Sequence, residues 1–350
     1  MKFSLKRVAA GVAVTTVAAM TLAGCADTGS GDGGSGSDDG GGAAASGDLS
    51  ITLLPKNLGN PYFDASEVGA SDAAEDLGAE FEQVGPTEAT PDGQVSYINT
   101  AAQQGRSALL VAANDPNAIC DALNEARDAG TKVVTFDSDT SADCRDLFIN
   151  QADAEGIAKV QGDLIAEQIG EEGEVAILSA TANATNQNAW NEAFIQYVNE
   201  TYPDIEVIDT VYGDDEDQKS FDQTASLLQS NPDLKGIVSP TTVGLAAAAR
   251  YLSDSNAKGE VALTGLGTPN QMREFIEDGT VTAFALWNPE DLGTLAAYAA
   301  GALVSGDIDG AEGDTFSAGG LGEFTVGADG VVLLGDPFVF DADNIGDFDF

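Results

Sequence analysis

The sequence predicts an α/β protein of two Rossmann-like lobes, each built on a parallel sheet, and three observations lead there. Short runs rich in Val, Ile and Leu alternate with segments of helical length from residue 50 to residue 286, the pattern of parallel strands covered by helices on both faces. About 300 residues follow a low-complexity leader, more than one open sheet normally holds. Four capping residues stand directly before a proline, at Asn60-Pro61, Asp115-Pro116, Thr268-Pro269 and Asn288-Pro289, which suits the N-cap and first-turn positions of helices.

In chain order, Lys2, Lys6 and Arg7 precede an apolar run over 8–20 that ends in Leu22-Ala23-Gly24-Cys25. A basic start, an apolar stretch of about a dozen residues and small residues before the cut mark 1–24 as an export signal. The stretch is too short to span a bilayer permanently. Its ending resembles the bacterial lipobox, which implies that Cys25 is lipidated and begins the mature chain; an ordinary secretory signal is the alternative. Residues 26–48 are almost entirely Gly, Ser, Asp and Ala and cannot bury enough apolar area to offset their ordering entropy. The segment 25–48 therefore reads as a lipidated cysteine and a flexible linker with a reach of roughly 25 Å. Gly31-Asp32-Gly33-Gly34-Ser35-Gly36 fits a dinucleotide fingerprint in letters only, since no strand is predicted before it and no helix after it.

Strands are predicted at 50–54, 108–113, 132–136, 174–178, 205–211, 235–238, 261–266 and 282–286, with helices among them at 62–77, 117–129, 154–169, 188–202 and 217–229. A break falls at 147–151, where Phe148-Ile149-Asn150-Gln151 follows a long polar loop instead of a helix. A single eight-unit barrel is the structural alternative, but late strands at 322–326 and 331–334 have no helix between them and fit it badly. Three of the cap-proline pairs follow directly on a predicted strand, and the first follows after a short loop. They mark the carboxyl edge of a parallel sheet, where open α/β folds bind ligands.

The chain carries 58 Asp and Glu against 14 Lys and Arg, a net charge of −44. That excludes nucleic acid as a partner, because phosphate binding needs a basic surface. The acidity reads as a solvation device, such as adaptation to salty surroundings, ahead of a cation-binding function. There is no histidine, which removes the usual general base and the commonest metal ligand together. A serine triad, an H-E-x-x-H zinc site and a Cys-His pair are impossible; no catalytic residue, metal or cofactor is expected. Besides Cys25 only Cys120 and Cys144 exist, too few for a cysteine cage. In an exported chain their simplest use is one disulfide, closing a loop of about 25 residues and contributing roughly 3 kcal/mol. Two free thiols are the alternative.

Residues just past the strand ends are chemically distinctive. Lys56 follows the first strand, and Asn60, Tyr62 and Phe63 open the next helix. Asp137, with Ser138 and Asp139, follows 132–136; Asn186, Gln187, Asn188 and Trp190 follow 174–178; Trp287 and Asn288 end 282–286. Amides and carboxylates beside aromatic rings suit a polyhydroxylated molecule, the polar groups taking its hydroxyls and the rings covering its apolar faces. Core packing is the alternative for each aromatic. A sugar-cleaving enzyme using Asp137 and a second carboxylate is the alternative chemistry.

Five motifs in order carry a family resemblance: Pro55-Lys56-Asn57-Leu58-Gly59-Asn60-Pro61-Tyr62-Phe63, Thr135-Phe136-Asp137-Ser138-Asp139, Ala184-Thr185-Asn186-Gln187-Asn188-Ala189-Trp190, Ser239-Pro240-Thr241-Thr242-Val243-Gly244 and Ala285-Leu286-Trp287-Asn288-Pro289. They resemble the type I periplasmic binding proteins of sugar ABC transporters, above all the rhamnose-binding and autoinducer 2-binding branch, over about 50–350. The resemblance implies two lobes joined by three crossover strands, 49–148 plus 287–324 forming the first and 149–286 plus 325–350 the second. It also implies a non-enzymatic, monomeric protein that encloses a sugar between the lobes. That protein would deliver its sugar to a membrane permease driven by a cytoplasmic ATPase, from a lipid anchor on the outer face of the cell membrane or in the periplasm. A sensory receptor subunit is a further alternative. In autoinducer 2 binders the ligand is held at positions matching Lys56, Asp137, Asn186, Gln187, Pro240 and Thr242. An aspartate is expected at Asn186 and an alanine at Thr242; both departures look like the rhamnose-binding version, which favours rhamnose or a similar deoxyhexose over autoinducer 2. Cys120 and Cys144 also resemble a cysteine pair of the autoinducer 2 branch.

Overall fold

The computed structural model describes residues 49–350; the export signal, Cys25 and the linker lie outside the described residues. The first part alternates β1 (Ser50–Leu54), α1 (Pro61–Asp76), β2 (Glu80–Gln83), α2 (Pro91–Gln104), β3 (Ala108–Val111), α3 (Cys120–Asp128), β4 (Lys132–Phe136) and β5 (Leu147–Asn150). The strands make one parallel sheet in the order β5-β4-β3-β1-β2. Side chains alternate between its faces. Ile51, Leu53, Ala108, Leu110, Val134 and Phe136 enter one apolar layer, while Leu54, Leu109, Val111 and Val133 enter the other. Burial on both faces is why these strands read as unbroken apolar runs.

After β5 the chain crosses to a second unit of α4 (Ala154–Ile169), β6 (Gly173–Ser179), α5 (Thr185–Thr201), β7 (Ile205–Tyr212), α6 (Asp217–Ser230), β8 (Leu234–Ser239), α7 (Thr242–Ser253), β9 (Ala262–Gly265), α8 (Pro269–Glu277) and β10 (Ala283–Leu286). Its parallel sheet runs β7-β6-β8-β9, and a parallel bridge from Leu266 to Ala285 carries it on to β10. The same alternation recurs: Val175 and Ile177 pack with Phe194 and Val198, whereas Ala176 and Leu178 face the opposite layer.

The chain then returns. α9 (Pro289–Ser305) packs on α1 and on the first sheet, and the two helices meet at glycines. A Cβ on Gly69 would lie 1.9 Å from the Glu290 carbonyl oxygen, and one on Gly293 would lie 1.9 Å from that of Ser66, so the backbones touch and no side chain fits between them. β11 (Thr315–Ser317) and β12 (Glu323–Thr325) pair antiparallel, β13 (Val331–Leu333) joins β5 in parallel, and β14 (Phe338–Asp341) pairs antiparallel with β10. Three passages, after β5, β10 and β13, therefore link two separate sheets, and the barrel alternative fails.

Three details differ from the sequence expectation. Val331–Leu333 extends the first sheet, although all of 325–350 is predicted in the second lobe; a three-residue strand carries no pattern that chooses its sheet. Asp115-Pro116 does not start α3. The Asp115 carboxylate accepts the backbone N–H groups of Asn117 and Ala118, both at 2.9 Å, and shapes a turn ahead of the helix. β2, with the polar sequence Glu-Phe-Glu-Gln at a sheet edge, has no apolar run to announce it.

Cys120, at the start of α3, is joined in a disulfide to Cys144, and their Cα atoms are 5.4 Å apart. Among the described residues no helix is long and apolar enough to cross a membrane. Replacing both cysteines by serine is expected to lower the unfolding free energy by about 3 kcal/mol in urea titrations. An unchanged denaturation midpoint would show that the bridge contributes nothing in solution.

Candidate functional site

The carboxyl ends of both sheets converge on one cavity of about 30 Å³. From the first lobe, Lys56 stands just past β1, Asn60 caps α1 by accepting the Tyr62 N–H at 3.1 Å, Tyr62 and Phe63 fill the first turn, and Asp137 follows β4. From the second, Asn186, Gln187 and Trp190 lie in the first turns of α5, and Pro240 and Thr242 sit where β8 passes into α7. Trp287 follows β10. All of these line the cavity.

Polar contacts cross the cleft. The Lys56 Nζ lies 3.3 Å from Asp137 Oδ2 and donates to Asn186 Oδ1 at 3.2 Å. Asn186 Nδ2 donates back to Asp137 Oδ2 at 3.4 Å and to its backbone oxygen at 3.3 Å. Lys56 and Asp137 are 4% and 5% exposed, so this is a buried ion pair with an amide from the opposite lobe closing the ring. Asp137 itself has φ 59°, a left-handed conformation that aspartate tolerates better than most residues. The turn is held by Ser138 N–H donating to the Phe136 oxygen at 2.6 Å and by the Gln151 side chain donating to the Asp137 oxygen at 3.1 Å. Gln187 anchors its own loop, its Oε1 accepting the Ala180 N–H at 3.1 Å.

The aromatic groups pack edge to face, Tyr62 on Phe63 at 5.1 Å, Tyr62 on Trp287 at 6.2 Å and Trp190 on Trp287 at 5.7 Å between centroids. The Trp287 indole N–H donates to the Tyr62 hydroxyl at 2.9 Å. Burial, and next the nearby Asp137 charge, push that hydroxyl well above the ordinary tyrosine range, so it remains a neutral donor. The cavity thus combines fixed hydrogen-bonding groups with ring faces and edges.

Two expected site residues fall outside. Asn188 is exposed and donates to the Ala182 oxygen at 2.8 Å; one position beyond Gln187 on a helix turns a side chain about 100° away. Asn288 is spent as the α9 cap, accepting the Glu290 N–H at 2.9 Å. Asp139 turns from the cavity to Arg145, which donates to its two oxygens at 2.6 and 2.8 Å. Conversely, Asp215, Thr241, Leu266 and Leu286 line the cavity without having been expected. Asp215 also follows a strand end, but it sits in the acidic run Asp214-Asp215-Glu216-Asp217, which reads as a solvated face. A wider groove of about 1170 Å³ opens at the amino ends of the second sheet, near Glu167, Asp204 and Lys235. It has no aromatic lining and no comparable ring of buried polar groups.

The fold recurs among known proteins. The family profile described as a periplasmic binding protein domain matches residues 51–308. A sugar ABC transporter structure from Actinomyces odontolyticus is 55% identical, with 86% of this chain and 98% of that one covered and a TM-score of 0.71. An ABC transporter solute binding protein from Clostridium phytofermentas, with bound L-rhamnose, is 38% identical over 86% and 98% of the two chains, TM-score 0.82. LsrB from Clostridium saccharobutylicum, in complex with AI-2, is 26% identical over 86% and 100%, TM-score 0.83.

Proposed function

The chain belongs to the periplasmic binding protein family, and from that premise we propose that it is the extracytoplasmic sugar-binding component of an ABC importer, handing its ligand to a membrane permease coupled to a cytoplasmic ATPase. The observation that carries this reading is the convergence of Lys56 and Asp137 from one lobe with Asn186 from the other. Such a buried polar ring adds little to stability, whereas it matches the alternating donors and acceptors of a polyol. Asp137 is committed to Lys56 and Asn186, which supports binding over a role as a catalytic acid.

Rhamnose or a similar 6-deoxyhexose is the favoured ligand. Its methyl group needs an apolar wall, which Leu266 and Leu286 supply, and the relative with bound L-rhamnose is 38% identical. Autoinducer 2 is the second reading, supported by the likeness to the AI-2 complex. The protein acts as a monomer tethered to the membrane through lipid on Cys25.

In a thermal-shift screen of deoxyhexoses, pentoses and autoinducer 2, the true ligand at a hundred times its Kd should stabilise the fold by about 2.7 kcal/mol; no shift with any of them would sink the sugar reading. Asp137→Ala should weaken sugar binding at least about a hundredfold by calorimetry, since partner hydroxyls lose their acceptor. Normal binding by a folded Asp137→Ala protein would overturn the site assignment. Asn186→Asp combined with Thr242→Ala should move preference from rhamnose toward autoinducer 2. Cys25→Ser should release the protein from the membrane fraction, and unchanged retention would refute the anchor.

A further inference from the structure

Asp215 is a cavity acid that the fold does not account for. It lies on the loop between β7 and α6, where Asp214 and Asp215 both adopt left-handed φ values of 56° and 53°, conformations that residues with a Cβ disfavour. The loop is nonetheless firmly held. Gly213 and Asp214 donate their N–H groups to the Ser179 and Ala180 oxygens at 2.9 and 3.0 Å, and a Cβ on Gly213 would lie 2.0 Å from Ser220 Oγ. The carboxylate is half satisfied: Thr241 Oγ1 donates to Oδ1 at 2.5 Å, whereas Oδ2 has no protein hydrogen bond and Asp215 no ion pair among the described residues. The nearby cation, Lys56, is paired with Asp137.

Burial is the main influence on this carboxyl and pushes it above the ordinary aspartate range; Asp137 and Asp214 push the same way, while Lys56 and the Thr241 hydroxyl oppose them. Wherever this carboxyl is ionised, the fold would gain by a neutral side chain here. An acid whose ionised form the fold disfavours, kept beside a ligand cavity with one oxygen unpaired, is the mark of a functional residue.

We propose that Asp215 is a specificity-determining ligand residue whose Oδ2 accepts a hydroxyl of the bound sugar, so that the ligand is clasped by one carboxylate from each lobe, Asp137 on the first and Asp215 on the second. This rests on the sugar-binding reading and deepens it: two carboxylates against one ammonium suit a neutral sugar and reject a sugar acid.

The test uses the full chain with L-rhamnose, or whichever neutral sugar from the screen binds the wild type, and compares wild type with Asp215→Asn. Asparagine keeps an acceptor for Thr241 but loses the charge-assisted bond to the ligand, so affinity should fall at least about tenfold. Without sugar, the variant should melt higher than wild type at alkaline pH, where the wild-type carboxyl is ionised. A raised folded-state pKa means that the ionised carboxylate burdens the fold above that pKa and ceases to as the proton returns, so the advantage should shrink as the pH falls into the carboxylate range. Unchanged affinity overturns the proposal. So does reduced affinity accompanied by a lower melting temperature without sugar, which would make Asp215 a structural residue. A wild type that binds no neutral sugar brings down the underlying reading, and this proposal with it.

Discussion

Burying Lys56 beside Asp137 strips both ions of water, and their 3.3 Å contact offsets that loss only if the remaining donors and acceptors also find partners. Part of that set comes from the second lobe. Asn186, from the first turn of α5, supplies both an acceptor for the ammonium and a donor for the carboxylate. The pair therefore couples the lobes: separating them removes the amide from both ions and admits water in its place. A cavity of about 30 Å³ has room for roughly one water molecule, so any larger ligand in this cleft requires the ring to open and to exchange amide and ammonium contacts for its own polar groups.

Such an exchange demands lobes that move as units. The close α1–α9 contact at Gly69 and Gly293 supplies this on the first lobe, because two backbones in van der Waals contact cannot slide without collision. It also ties the part of the chain that returns after β10 to the part that precedes β5. The remaining covalent links between the sheets are the three passages after β5, β10 and β13, and Gln151, just past β5, donates to the Asp137 backbone oxygen at 3.1 Å.

Much of this was legible beforehand because parallel strands are buried on both faces and announce themselves as apolar runs. β1, β4 and α4 have the predicted limits, and Lys56, Tyr62, Asp137 and Trp190 share the expected cavity. What the sequence hid has physical causes. α2, with Gln94, Ile98 and Ala101 as its buried residues, offers too thin an apolar stripe, and β2 is a polar edge. Asn188 and Asn288 have the right chemistry beside the right neighbours; helix rotation removes the first and a capping bond the second. Asp215 is concealed by the opposite effect, a half-buried cavity acid embedded in a run of acids. Composition can separate acidic from basic, but only the path of the loop decides which acid faces inward.

The same loop and ring bear on why an amide occupies position 186. Asn186 Nδ2 donates to Asp137 Oδ2; an ionised aspartate there would bring a second carboxylate against the first, with Asp215 as a third lining the same cavity and Lys56 alone to balance them. At the low effective dielectric of a buried site such repulsion is large unless protons or ligand donors relieve it. An aspartate version of this cleft therefore suits a ligand that brings more donors or a proton, whereas the asparagine version supplies a donor of its own and leaves fewer for the ligand to provide. In a chain whose net charge is already −44, and which therefore repels anions at long range, the neutral amide keeps one more negative charge out of the cleft.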